Sequence, residues 1–243
     1  MLNLVQPDHS HCDNVAHSFY TRGMIQFSHV YKTYTGAIHA LKNIDLHIDK
    51  GEFVFITGPS GAGKTTLFKM LSAYDRPSSG IINVAGFDLG KITAEQVSTF
   101  RRRIGVIFQD FKLLKDRTIF ENVALPLLVR GDRPQLVNRR VAEILEQVGL
   151  SNKANQRPEF ISGGEQQRTA IARALIHQPG VLIADEPTGN LDPRLSEEIM
   201  DLLERVCAQG TTVFVATHDL EMVQRKKKRT VQIQNGVLIG DNK

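Results

Sequence analysis

The chain has 243 residues, 41% of them apolar and 23% charged, with a net charge of +4. That is enough apolar sequence for one large domain or a core with a subdomain, and the mildly basic balance is compatible with anionic ligands or a membrane surface without selecting either. The numbers exclude a disulfide framework and a spanning helix: Cys12 and Cys207 have no framework or metal-type spacing, and the densest apolar stretch, VALPLLV at 123–129, is short and holds a proline. A reducing compartment is the expectation.

Residues 1–23 are polar, rich in histidine and without periodicity, and patterned sequence begins at a second methionine, Met24. They read as a disordered extension or a start-site artefact. His9, His11, Cys12 and His17 match no metal-ligand spacing, which leaves a solvated tail. From Met24, MIQFSHV and NIDLHI alternate apolar and polar residues, the period of half-buried strands. EFVFITG, at 52–58, is a continuous apolar run, as in a strand covered on both faces. It runs into GPSGAGKT, Gly58 to Thr65, which fits G-x-x-x-x-G-K-[ST] between a strand and the helix predicted over KTTLFKML. Such a loop curls until its N–H groups surround phosphate oxygens. Lys64 would neutralise the β- and γ-phosphates, and Thr65 would bind Mg²⁺.

Further strands are predicted at IGVIF (104–108), VLIAD (181–185) and TVFVAT (212–217), with helices between them, an α/β core with a mostly parallel sheet. Residues 117–176 break the alternation. Val141, Ile144, Leu145 and Val148 repeat at helical spacing, with Gly149 placed to end the helix, so a helical subdomain over about 117–176 is expected inside the core. It contains ISGGEQQR (161–168), where a serine and two glycines precede good helix formers, a second turn suited to an anion. VLIAD ends in Asp185, at the carboxyl end of a buried strand, where such sheets place their ligands. Glu186 follows, placed to orient a water and accept its proton. The basic run RKKKR (225–229) has two readings: a solvated helix end, or attraction to anionic headgroups. It lacks interleaved aromatics, so no nucleic-acid partner is expected. VQIQNGVLI (231–239) carries Asn-Gly between two apolar-patterned strands, a hairpin signal.

The phosphate loop, FQD at 108–110, ISGGEQQR, VLIADEPTGNLD at 181–192 and ATHD at 216–219 stand in the order found in ATP-binding cassette ATPases, which the chain resembles from about Met24 to its last residue. The resemblance implies one α/β nucleotide-binding domain over 24–243, with a mostly parallel core sheet, an N-terminal antiparallel β subdomain and the inserted helical subdomain. It implies Mg²⁺-dependent ATP hydrolysis by a head-to-tail homodimer that forms on ATP binding. Carried over position by position, Gly58, Pro59, Ser60, Gly61, Ala62, Gly63, Lys64, Thr65 and Thr66 hold phosphates, and Tyr34 stacks on adenine. Thr65, Gln109 and Asp185 serve Mg²⁺. Glu186, His218, Gln109 and Lys64 serve hydrolysis. Ser162, Gly163 and Gly164, with Gln166 nearby, meet the γ-phosphate held by the partner subunit, and Asp192 belongs to the loop crossing the dimer interface.

DEPTGNLD, with Gly189 and Asn190, resembles the branch containing lipoprotein-release, macrolide-export and cell-division ATPases. FKLLKDRTIFENVALPL (111–127) and RPSSG (76–80) favour the division members. These work with an integral membrane partner of the FtsX type, which places the chain on the cytoplasmic face of the inner membrane. An exporter ATPase and a slowly hydrolysing division scaffold are the alternatives. Ile161 stands where leucine is usual, and Ala73 where relatives often have glycine.

Overall fold

The computed structural model describes residues 23–36, 38–189 and 191–243. The tail residues His9, His11, Cys12 and His17, and Asn190 of the interface motif, lie outside the described residues. Two sheets form the frame. The first runs β2-β1-β4-β5, all antiparallel, from β1 (Gly23–Tyr34), β2 (Ile38–Asp49), β4 (Ser79–Val84) and β5 (Phe87–Asp88). The second runs β10-β9-β3-β8-β7-β6, from β3 (Phe53–Thr57), β6 (Ile104–Ile107), β7 (Val181–Asp185), β8 (Thr212–Ala216), β9 (Arg229–Gln234) and β10 (Val237–Asp241). In it β9, β3, β8, β7 and β6 are parallel and β10 is an antiparallel edge.

The continuous apolar runs are strands sealed on both faces: every residue of β3, β7 and β8 is buried. Because side chains alternate along a strand, the parallel sheet divides two cores. Phe53, Phe55, Leu182, Ala184, Val213 and Val215 face the first. There they meet α3 (Ile119–Arg130), α4 (Pro134–Gln147), α5 (Gly163–Leu175) and α6 (Pro193–Ala208). Val54, Ile56, Val181, Ile183, Phe214 and Ala216 face the second, against α1 (Lys64–Leu71) and the inner face of the antiparallel sheet. Residues 108–180 hold helices and short 3-10 turns but no strand among the described residues. At the end of α4, Gly149 takes φ +68°. Its N–H bonds Glu146 O at 3.0 Å while Leu150 N–H bonds Leu145 O at 2.8 Å, the paired closure that glycine permits just past a helix.

No sequence expectation covers β4, since SGIINV begins with three exposed residues and shows little alternation. Two helices also lie outside it: α2 (Ala94–Arg101), capped by Thr93 and Gln96, and α7 (Leu220–Lys226), capped by Asp219. Ala73 closes α1 at φ +53°, which explains why that position suits glycine. Among the described residues no helix is long and apolar enough to cross a membrane.

The Asn-Gly turn between β9 and β10 has a second duty. Asn235 and Gly236 both take positive φ, 50° and 78°. Gly236 N–H donates to Ala62 O at 3.0 Å and its carbonyl accepts from Lys42 N–H at 2.7 Å, so the tip pins the phosphate loop to β2. A Cβ there would lie 2.6 Å from Ala40 O. Gly236→Ala combines a left-handed penalty with this clash and is expected to cost about 2–3 kcal/mol. Calorimetry of the nucleotide-free protein should show Tm lowered by roughly 5–10 °C; an unchanged Tm would mean the turn does not brace the loop.

Candidate functional site

The parallel strands deliver their following loops to one edge of the sheet, and there they enclose a cavity of about 500 Å³ lined by Ala40, Gly58 through Thr66, Gln109, Asp185, Glu186 and His218. Gly58 to Gly63 form the turn between β3 and α1. Gly61 and Gly63 take φ of +76° and +116°, and a Cβ on Gly63 would sit 2.8 Å from Leu41 Cδ2, so this loop geometry needs glycine. No acid occupies the first turn of α1, leaving its N–H groups and positive dipole end unopposed. Lys64 Nζ donates to Gly58 O at 2.6 Å and Pro59 O at 3.2 Å, folded onto its own loop. Thr65 is exposed to the cavity side by side with Thr66.

Asp185 ends β7 and is buried at 8% exposure. Burial and then the Glu186 carboxylate push its pKa up to about 6, against the opposing pull of Lys64 and Lys69. Glu186 takes φ +49°, an unfavourable left-handed conformation for a non-glycine residue, fixed by Glu186 N–H to Ala216 O at 2.9 Å. The turn aims its carboxylate at His218, with Oε1 2.9 Å from Nδ1, and Oε2 accepts from His218 N–H at 3.4 Å. A half-sequestered carboxylate with one histidine partner, beside a glycine-rich loop and a lysine, can accept a proton from a water attacking a phosphate.

The remaining expected residues lie outside this cavity. Tyr34 donates to Asp75 Oδ2 at 2.9 Å, and Lys32 Nζ stands 4.8 Å from its ring centroid, covering one face. Its hydroxyl pKa is raised by burial, with Thr66 pulling the other way and Asp75 raising it further, and the ring is not among the residues lining the cavity. Ser162 caps α5: its Oγ accepts from Glu165 N–H at 3.3 Å, and Glu165 Oε2 accepts from Ser162 N–H at 2.8 Å. Gly163 has open space around it. Gly164 has none, since a Cβ would lie 2.4 Å from Leu195 Cδ2. Gln166 Nε2 reaches Ile161 O at 3.4 Å, and Asp192 caps α6 by accepting from Leu195 N–H at 3.0 Å. In one copy, then, the two anion-suited turns do not share a cavity.

Gln167 is a residue that sequence reasoning missed. Buried, it donates from Nε2 to Pro187 O at 2.6 Å and ties α5 to the turn after Glu186; only its place one turn behind the ISGG motif hinted at it. Four of the five residues of the basic run, all but the exposed Lys227, are ion-paired within the chain. Arg225 meets Glu197 at 2.8 Å, and Lys226 meets Glu197 and Asp201 at 2.9 and 2.5 Å. Lys228 meets Glu204 at 3.1 Å, and Arg229 meets Glu52 and Asp241 at 2.9 and 2.6 Å. Those pairs favour the helix-end reading over a free cationic patch.

Three comparisons bear on this geometry. A family model described as ABC transporter matches residues 41–189. The cell division ATP-binding protein FtsE of Mycobacterium tuberculosis is 51% identical over 219 residues, 90% of this chain and 95% of its own length. FtsE of Bacillus subtilis is 48% identical over 218 residues, 90% and 96% of the two chains. Among solved structures, the ATP-binding cassette MJ0796, a dimer in a post-hydrolysis state bound to ADP and Pi, superposes with a TM-score of 0.85. It is 37% identical and covers 90% of this chain and 98% of its own.

The raised pKa of Asp185 has a measurable consequence. An acid whose pKa rises on folding holds its proton more tightly in the native state. The stability that proton confers is complete below about pH 4 and is lost as pH rises through about 6. Removing the charge with Asp185→Asn should therefore stabilise the nucleotide-free protein in EDTA at pH 7.5 by about 2 kcal/mol, or roughly 4–8 °C in Tm. The gain should shrink toward pH 5. A variant melting at or below the parent at pH 7.5 would show that Asp185 is not electrostatically frustrated.

Proposed function

The chain belongs to the ABC transporter family, and from that membership we propose that it is a Mg²⁺-dependent ATPase acting as a head-to-tail homodimer with an FtsX-like integral membrane protein in bacterial cell division. It binds ATP and hydrolyses it to ADP and phosphate. The observation that carries the reading is the convergence of the phosphate loop, Gln109, Asp185, Glu186 and His218 on one cavity.

Thr65, Gln109 and Asp185 offer hydroxyl, amide and carboxylate oxygens, hard donors suited to Mg²⁺. Among the described residues no group of three or more His, Cys, Asp or Glu side chains is placed to hold a metal alone. That fits an ion that takes one carboxylate and completes its shell with nucleotide phosphates and water. Once bound, Mg²⁺ neutralises charge on the phosphate oxygens. On nucleotide entry Lys64 exchanges the carbonyls of Gly58 and Pro59 for phosphate oxygens, and the loop N–H groups and the α1 dipole hold the same anion. Water attacks the γ-phosphorus, the bond to the β–γ bridging oxygen breaks, and the proton passes to Glu186. His218 holds the Glu186 carboxylate in line. Catalysis is then positioning and charge neutralisation.

Ser162, Gly163, Gly164, Gln166 and Asp192 lie outside the cavity, which supports a site completed by a second copy. The dimeric state of MJ0796 supports the same arrangement. In a two-fold dimer the exchange is reciprocal, and loss of the γ-phosphate removes the bridge between copies. The FtsE relatives support the division role and a place on the cytoplasmic face of the inner membrane.

Glu186→Gln should bind ATP, remain dimeric on size exclusion with Mg-ATP, and hydrolyse at least about 100-fold more slowly. A normal rate would remove Glu186 from its role. Loaded with Mg-ATP, the same variant should retain an FtsX-like membrane protein from a detergent-solubilised membrane extract. Retention of an exporter permease in its place would move the function to export.

A further inference from the structure

Gln109 reaches the cavity from a segment anchored at both ends. Upstream, Phe108 packs edge-on against Phe68 of α1, with ring centroids 5.6 Å apart, and against Tyr74 at 5.8 Å. Downstream, the chain makes two consecutive left-handed residues, Phe111 at φ +59° and Lys112 at φ +49°. Neither is glycine, so the pair is strained and needs an outside hold. One guanidinium supplies it: Arg173 Nη2 donates to Phe111 O at 2.6 Å and Nη1 donates to Lys112 O at 2.7 Å.

Arg173 is partly buried, and burial pushes its pKa down with only Tyr74 opposing; no carboxylate contributes. A guanidinium placed this way without an acid partner acts through its planar fork of donors, which can satisfy two carbonyls at once. It sits on α5, roughly three turns from the Gly163 end. The same helix that presents the Ser162 cap at one end therefore grips the Gln109 segment near the other.

We propose that Arg173 is a positioning residue that couples the two sites of the dimer, locking the Gln109 segment of one site to the helix whose N-terminus serves the other. This rests on the reading that Gln109 approaches one nucleotide and Ser162–Gly164 the partner's. Closure on the partner's γ-phosphate draws on α5, and α5 carries Gln109 with it through the two carbonyls. Phe68 and Tyr74 keep the upstream end fixed to the phosphate-loop helix, so the segment responds as a lever between two anchors.

The test compares R173K, K112V, K112G and the R173K/K112G pair in the full chain. Lysine has no fork, so it cannot reproduce both bonds. Valine resists the left-handed conformation at 112 and glycine accepts it, while both remove the 2.5 Å ion pair between Lys112 and Asp110, so their difference isolates the backbone turn. R173K and K112V should lower kcat about tenfold, with equilibrium ATP affinity kept within about twofold and the Hill coefficient for ATP falling toward one. Amide hydrogen exchange at 109–114 should quicken in the nucleotide-free proteins, a readout independent of activity. K112G should retain parental kcat and partly rescue R173K. The proposal is overturned by parental kcat and exchange in R173K, by K112G as damaging as K112V, or by ATP affinity falling in step with kcat. Should R173K fail to fold, K112V against K112G decides. A parent chain that neither hydrolyses ATP nor dimerises sinks the ATPase reading itself and, separately, the coupling with it.

Discussion

A parallel sheet buried on both faces is the constraint on which everything else depends. Every other residue of β3, β7 and β8 points into one of two cores, so none of these strands can shift by one residue without exchanging the cores' contents. The strands also run the same way, so the residues after β3, β6, β7 and β8 emerge at one edge. Gly58, Gln109, Asp185 and His218 are close because their strands are parallel and in register, although up to 160 positions separate them in sequence (218 − 58).

That edge is electrostatically incomplete. Lys64 is folded onto the carbonyls of its own loop, the first turn of α1 has no acid, and Asp185 is buried beside Glu186 with its charge disfavoured. Burying Asp185 beside Glu186 costs stability in the free protein, while Lys64 and the N-terminus of α1 hold donors that an anionic ligand could take up. Glu186 adds a left-handed backbone, held by Ala216 from the neighbouring strand. Strain and unpaired charge gathered at one edge are what a site looks like when it stabilises its ligand at the expense of the empty fold.

The second anion-suited turn explains its own separation. Leu195 of α6 packs closely over Gly164, and Gln167 is fastened to Pro187, so the α5 N-terminus is held on the α6 side of the molecule. It cannot swing into the cavity of the same copy without breaking these contacts, and a two-fold partner is the economical way to bring the turns together.

Much of this was legible in the sequence, because local rules decide it. Continuous apolar runs mark strands sealed on both faces, Gly-rich spacing before Lys-Thr marks a turn of outward N–H groups, and Asn-Gly between patterned strands marks a hairpin; each depends on residues that are neighbours in the chain. The order of the motifs placed Asp185, Glu186 and His218 at strand ends, and the structure puts them there. What sequence could not decide depends on residues far apart: that the Gly236 turn braces the phosphate loop through Ala62, that Lys32 covers one face of Tyr34, that the acids of α6 pair with Arg225, Lys226 and Lys228, and that Arg173 grips the strained carbonyls of Phe111 and Lys112. Chain neighbours fix backbone conformation and periodicity, whereas these pairings exist only once the packing of two cores has set the distance between their partners.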